Sequence, residues 1–184
     1  LIVFRFSLEI WKSIDIGLIL FSFFLLTLVF IPFIGYEANG ASRWIRLFGF
    51  SFQPSELMKF SLIVYISSYC YRRMTEFKEK WIGFWKPVLV VVLAIALVLL
   101  EPDLGSSAVI FLISLTIMFI AGAPLKQMSI ILFMGSMVFV SMIILVPWRM
   151  QRILSFVDPW SAYGESGYQL SQALIAFSRG DLFG

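Results

Sequence analysis

The chain has 184 residues, 60% of them hydrophobic and 14% charged, with 14 basic and 11 acidic side chains and a net charge of +3; its mean hydropathy is +0.95. That balance lies outside the range of soluble domains and indicates a protein that crosses a membrane several times. The absence of histidine excludes Ser-His-Asp and Cys-His catalysis and the commonest metal ligand, while the single cysteine, Cys70, excludes an internal disulfide and a thiolate metal site.

Taken in order, five stretches are long enough to cross a hydrocarbon core of ~30 Å, which needs about 20 mainly apolar residues. They cover residues 14–34, 54–71, 84–100, 105–121 and 128–146. The apolar start Leu1–Phe4 is too short to span and reads as the tail of an earlier helix rather than a signal peptide. Gly184 falls in a loop, so an internal fragment of a longer protein is expected. Short loops alternate sides, and one side collects Arg5, Lys12, Arg72, Arg73, Lys78, Lys80, Lys86 and Lys126. The positive-inside rule makes that side cytoplasmic. The outer side then holds the loop 36–53, the turn Glu101-Pro102-Asp103 and the tail 147–184. Trp44, Trp148 and Trp160 fall near the outer boundary and Trp81 and Trp85 near the inner one, as an aromatic belt requires. Within the tail, Tyr168–Phe177 has helical apolar spacing and is expected to lie at the interface as an amphipathic helix. Cys70, among Tyr69, Tyr71 and Arg72, reads as packing.

Without histidine, chemistry falls to carboxylates, lysine or a bound cation. Gln53-Pro54-Ser55-Glu56-Leu57-Met58-Lys59 opens a helix with proline in the first turn and Glu56 near the positive end of the helix dipole. Lys59 lies about 7 Å further along at 1.5 Å per residue. Glu56 and Lys59 form either a plain i,i+3 surface pair with a snorkelling lysine, or a charged pair aimed into a polar cavity that accepts an anionic headgroup. Arg43, Arg46, Arg149, Arg152 and Arg179 sit on the side where topology does not favour cations. Arginine suits bidentate contact with phosphate, on a ligand or on ordinary lipid. Asn39-Gly40-Ala41-Ser42 before Arg43 and Trp44 is a turn-forming loop open to a sugar or phosphate. Glu101-Pro102-Asp103-Leu104-Gly105 is a helix-hairpin turn with Asp103 as a cap, although two close carboxylates also suit Mg²⁺ or Mn²⁺. Asp158-Pro159-Trp160 reads as a turn with an interfacial aromatic.

These motifs, with Pro147-x-Arg149-x-x-Arg152, Phe156-x-Asp158-Pro159-Trp160 and Ser166-Gly167-Tyr168-Gln169-Leu170, fall in an order that resembles the SEDS family of bacterial envelope proteins, over almost the whole chain. The Asn-Gly before Ser42-Arg43-Trp44, and Ala176-Phe177-Ser178-Arg179-Gly180-Asp181 after Gly167-Tyr168-Gln169, are more similar to its division branch than to its elongation branch. The resemblance implies an all-α, polytopic bundle of about ten transmembrane helices in the bacterial cytoplasmic membrane, of which this chain supplies a part. It implies a glycosyltransferase that polymerises lipid II into peptidoglycan at the division septum, leaving undecaprenyl diphosphate. A divalent cation, a class B penicillin-binding protein and other division proteins are the implied associates, beside membrane lipids, and nucleic acid is not among them. The main catalytic aspartate of the family pattern lies past residue 184, and Asp181 is not that residue, so these residues alone are expected to be inactive. Glu56 and Lys59 match supporting catalytic positions. Arg43, Trp44, Gln53, Ser55, Glu101, Asp103, Arg149, Arg152, Tyr168 and Gln169 are the candidate substrate contacts. A transporter of the same lipid-linked precursor and a scaffold for division proteins are the competing readings, beside an elongation-type polymerase.

Overall fold

The computed structural model describes residues 7–31, 35–38, 41–47, 50–158, 160 and 167–180. Arg5, Asn39, Gly40, Pro159, Ser166 and Asp181, named in the motifs above, lie outside them. The order is α1 (Leu8–Leu28), β1 (Gly35–Ala38), β2 (Ala41–Leu47), β3 (Phe50–Phe52), α2 (Pro54–Arg72), α3 (Met74–Glu79), α4 (Trp81–Leu100), α5 (Leu104–Ile120), α6 (Leu125–Ile144), α7 (Pro147–Val157) and α8 (Tyr168–Arg179). Two compact units divide within α6, Leu1–Leu132 and Phe133–Gly184.

In the first unit α2 is the central helix, packed against α1, α4, α5 and β2. Its buried face carries Met58, Leu62 and Ile66, joined by Phe84, Val91 and Val98 of α4 and Ile110 of α5. Serines accompany them: Ser22, Ser61, Ser107 and Ser114 are buried, while Phe24, Leu89, Leu112 and Phe119 are exposed. Small polar residues inside and large apolar residues outside is the arrangement of helices that pack in lipid. Among the described residues three helices, α1, α4 and α6, are long and apolar enough to cross a membrane, and α5 is a shorter apolar helix. The serines and charges of α2 leave it less apolar, as suits a helix surrounded by other helices.

The stretch expected to span at 14–34 is divided. The helix begins at Leu8 and ends at Leu28, and Gly35 already lies in a strand. Pro32 disfavours helical geometry in the residue before it, so the chain leaves the helix early. The expected all-α bundle also carries a three-stranded antiparallel sheet, ordered β1-β2-β3. Ala38 pairs with Ala41 and Ile45 with both Gly35 and Phe52. The intervening Asn39-Gly40 is the dipeptide favoured in two-residue hairpins, and aromatic and β-branched residues such as Trp44 and Ile45 favour strand.

The opposite end of the unit is basic. Asp15, 1% exposed, accepts from Arg72 Nη2 at 2.6 Å, tying the start of α1 to the end of α2. Two turns further, the Ser22 and Ser61 hydroxyls share a hydrogen bond at 2.6 Å. Tyr69 Oη donates to the Gly83 carbonyl at 2.7 Å, and Glu76 joins Arg73 and Lys86 at 2.7 and 2.6 Å. Gly83 has no room for a side chain, because a Cβ there would meet the Glu76 carbonyl oxygen at 2.1 Å. Gly122 turns α5 into α6 at φ +82°, a left-handed conformation suited to glycine.

In the second unit, α7 is an element that the sequence reading does not anticipate. Pro147 starts it, at a position where a missing N–H costs nothing. Its Ser155 is buried while Ile153, Leu154 and Phe156 are exposed, and in α8 Ser171 is buried while Leu174 and Phe177 are exposed. The helix expected over Tyr168–Phe177 runs two residues further, to Arg179.

The Asp15–Arg72 pair generates a stability prediction. Asp15→Ala in the whole-length protein strands a cation against the bundle, and because Arg72 keeps 39% exposure the loss is about 2 kcal/mol rather than the larger figure for a fully buried pair. Thermal unfolding in detergent of both single variants and Asp15→Ala/Arg72→Ala checks it: the double variant loses less than the two single losses combined.

Candidate functional site

Three chain segments meet at the hairpin end of the first unit: strand β2, the residue before α2, and the α4–α5 turn. Pro102 follows directly on Glu101, which discourages helix there, and Asp103 then caps α5. Its Oδ1 accepts from the Ser106 N–H at 3.0 Å, and its backbone carbonyl accepts from Ser107 Oγ at 2.8 Å. The other oxygen, Oδ2, accepts from Gln53 Nε2 at 3.1 Å. Gln53 in turn begins α2: its carbonyl accepts from the Glu56 N–H at 3.1 Å, and Pro54 occupies the first helical position.

Arg43 reaches across from β2. Its Nε donates to the Glu101 carbonyl at 3.0 Å and its Nη2 to the Pro102 carbonyl at 2.6 Å. The guanidinium thus holds the backbone of the turn rather than its carboxylates. The Glu101 side chain is 1% exposed, and neither carboxylate oxygen has a hydrogen-bond partner. Burial, reinforced by the negative charge of Asp103 and opposed by Arg43, pushes its carboxyl up to about 8; desolvation penalises the charged form.

Glu56 and Lys59 lie on the opening turns of α2, joined Oε1 to Nζ at 2.7 Å. The lysine side chain is 18% exposed and the glutamate 58%. The acid therefore faces outward and the base is partly sheltered, with the carboxylate oxygen in charge-assisted hydrogen-bond contact with the ammonium.

The structure brings Arg43, Gln53, Glu101 and Asp103 into one hydrogen-bonded cluster, with Glu56 and Lys59 starting on the helix that Gln53 precedes. Trp44 is half-buried beside Arg43 on β2. Ser55 is buried, its hydroxyl without a partner. In the second unit Arg149 donates from Nη1 to the Met142 carbonyl at 3.2 Å, Tyr168 is exposed, and the Trp160 N–H donates to Asp158 Oδ1 at 3.2 Å. The side chains of Arg152 and Gln169 lie outside the described residues. Among the described residues, no three His, Cys, Asp or Glu side chains gather where they could hold a metal ion. A small cavity between α4, α5 and the start of α6, lined by Val88, Val91, Phe111 and Met118, is apolar and carries no ionisable group.

Sequence reasoning missed Asp15 and the Ser22–Ser61 contact. A signal was present: Asp15, Ile19, Ser22 and Leu26 are spaced at i, i+4, i+7 and i+11 and form the buried face of α1.

A helical bundle with polar residues inside, apolar residues outside and a cluster of charged and amide groups at one end defines a multi-pass membrane protein with a polar site at an end of its helices. The chain belongs to the FtsW–RodA–SpoVE family of cell cycle proteins, whose profile matches residues 1–184. It is 42% identical over 184 residues to a probable peptidoglycan glycosyltransferase FtsW of Saccharophagus degradans, covering 100% of this chain and 48% of that protein. A protein of the same name from Coxiella burnetii is 42% identical over 180 residues, covering 98% and 48%. Among solved structures, a chain from a peptidoglycan synthase complex described as coordinating polymerization and crosslinking is similar at TM-score 0.70 and 28% identity, covering 95% of this chain and 51% of that one. The rod shape determining protein RodA of Thermus thermophilus is similar at TM-score 0.60 and 28% identity, covering 72% and 42%. The chain spans about half the length of the curated relatives it matches.

Asp103 supports both the start of α5 and the link to Gln53. Asp103→Ala lowers the stability of the whole-length protein by about 1–2 kcal/mol, the usual cost of a lost cap, whereas Asp103→Asn, which still accepts from Ser106, loses less than half as much. Thermal melting in detergent separates the two.

Proposed function

We propose that the whole-length protein is a peptidoglycan glycosyltransferase of cell division, which polymerises lipid II into glycan strands and releases undecaprenyl diphosphate. The observation that carries this reading is the Glu56–Lys59 pair at the opening of a membrane helix, beside a cluster built from Arg43, Gln53 and Asp103. The names of the relatives support the same activity. A sugar hydroxyl of the acceptor attacks the anomeric carbon of the donor, the C–O bond to the diphosphate breaks, and the hydroxyl proton passes to a carboxylate base. Charge develops on the departing diphosphate, where a preorganised cation is worth most. Lys59, held in place by its ion pair with Glu56, supplies one. The Arg43 donors that hold the turn are already engaged, so its contribution is to shape the site. Trp44 and Ser55 are proposed substrate contacts of the first unit, and Arg149, Arg152, Tyr168 and Gln169 are proposed substrate contacts of the second.

The resemblance also implies a divalent cation, which would neutralise diphosphate charge. The Glu101–Asp103 pair fits such an ion poorly: both Asp103 oxygens already accept hydrogen bonds, and burial favours a protonated Glu101. The cation is therefore assigned to ligands other than this pair. The partner proposed is a class B penicillin-binding protein, the division transpeptidase, and likeness to a chain of a complex that couples polymerization with crosslinking supports it. Other division proteins complete the assembly. The location proposed is the bacterial inner membrane at the septum, with the hairpin end outside and the basic end in the cytoplasm.

The test follows fluorescent lipid II into polymer, using the whole-length protein with its transpeptidase partner and divalent cation. Lys59→Ala lowers the rate at least about 100-fold, the scale of losing a transition-state charge contact, and Glu56→Ala about 10-fold, with melting temperatures little changed. A folded parent that forms no polymer but moves lipid II between liposome leaflets would replace this reading with the transporter.

A further inference from the structure

At the hairpin end, Glu101 is a buried acidic side chain to which the proposed chemistry gives no role. It is enclosed, 1% exposed, and both oxygens lack partners. Arg43, the cation beside it, passes its carboxylate by and binds the carbonyls of Glu101 and Pro102. With the Gln53–Asp103 contact, those two bonds fasten the β-hairpin and the entry to α2 onto the α4–α5 turn. An ionised Glu101 would disturb that arrangement in two ways. A bare carboxylate beside a guanidinium competes with neutral carbonyls for its donors, and an unpartnered buried charge draws in water. An uncharged Glu101 does neither.

We infer that Glu101 is a positioning residue which, uncharged, leaves Arg43 on the turn carbonyls and so keeps the β-hairpin latched over the α4–α5 turn at the entry to α2.

Among the described residues, the charged groups that face it are few. Asp103 lies on its own turn and Arg43 comes from β2. Glu56 and Lys59 at this end of α2 are paired with each other, α5 contains no ionisable residue, and the only one in α4, Lys86, is at the basic end. The direction of the pH effect follows. In the latched state the carboxyl titrates near about 8, against an ordinary 4.5 once opened to water. Between those values the latched state holds a proton that the opened state releases, so latching weakens as pH rises and levels off above about 8. The equilibrium constant for opening rises by up to tenfold per pH unit across that window.

Hydrogen exchange of backbone amides in 41–53, measured from pH 5 to pH 9 on the whole-length protein in nanodiscs, tests this against Glu101→Gln. Comparing the two proteins at each pH cancels the chemical pH dependence of exchange. The wild type exchanges progressively faster than Glu101→Gln as pH rises to about 8, and the ratio then flattens. Glu101→Met, which removes both oxygens, also keeps the hairpin protected at high pH. Arg43→Ala opens it at every pH and abolishes the difference. A constant ratio across the range would overturn the inference. So would a hairpin opened at all pH values by both Gln and Met in proteins whose overall melting is unchanged, since the carboxylate would then be a required partner. Where polymerisation is the second readout, the test rests on the transferase reading: Glu101→Gln keeps its rate to higher pH than the wild type. A parent that makes no polymer refutes the transferase and leaves the exchange result standing.

Discussion

Lipid offers no hydrogen bonds, so a polar group that a membrane bundle buries is stabilised when another part of the same bundle meets it. That constraint organises the first unit of this chain. Asp15 enters the helical region paired with Arg72, which reaches it from α2, and Ser22, which also bonds the Leu18 carbonyl of its own helix, faces Ser61. Both contacts lie on the α1–α2 seam and fix the register of α2 against α1. The position of Glu56 and Lys59 along α2 is therefore set partly from the far end of the same helix.

At the hairpin end the same constraint produces a different solution. The helix ends of α4 and α5 present backbone groups that need partners: Arg43 of the hairpin donates to the Glu101 and Pro102 carbonyls, while Asp103 accepts from the Ser106 N–H and Ser107 Oγ donates to the Asp103 carbonyl. A small sheet in a helical membrane protein makes sense on these grounds, because β2 carries a guanidinium to the carbonyls of the α4–α5 turn. The long-range partners, Arg43 to residues 101 and 102 and Gln53 to Asp103, are separated by about fifty or more residues in sequence, so no local spacing announces them.

Much of the helical framework is nevertheless legible in the sequence. Apolar length locates α4 and α6, proline and aspartate locate the α4–α5 turn, and Pro54 locates the start of α2. Apolar length alone misplaces the first span, because it cannot see that Phe30 and Ile31 precede a proline. The sheet escapes a reading that takes Asn39-Gly40 as a loop without counting the alternating residues beside it. Arg43 stands out in the sequence, but there its chemistry can be read only from its charge. Its geometry assigns two of its donors to backbone, which no composition or motif distinguishes from phosphate binding. Glu56 and Lys59 need only their i,i+3 spacing, and that local relation is the kind a sequence displays most faithfully.

Two glutamates show how far environment outweighs residue type. Glu76, at the basic end, accepts from Lys86 and Arg73 and is held down at about 2, while Glu101, enclosed beside Asp103, is pushed up to about 8. The first contributes to local order above the ordinary carboxylate value and loses that contribution as pH falls towards about 2. The second contributes most at low pH and loses it as pH rises towards about 8. Their pH windows do not overlap: the Glu76 contribution is constant above the ordinary carboxylate value, whereas that of Glu101 falls between that value and about 8, at opposite ends of the bundle. If the basic end faces the cytoplasm and the hairpin end the exterior, the cytoplasmic clasp is insensitive to ordinary pH changes, whereas the outer latch titrates within the range an exterior compartment can reach. The half of the protein that is proposed to meet substrate is then also the half whose packing responds to its surroundings.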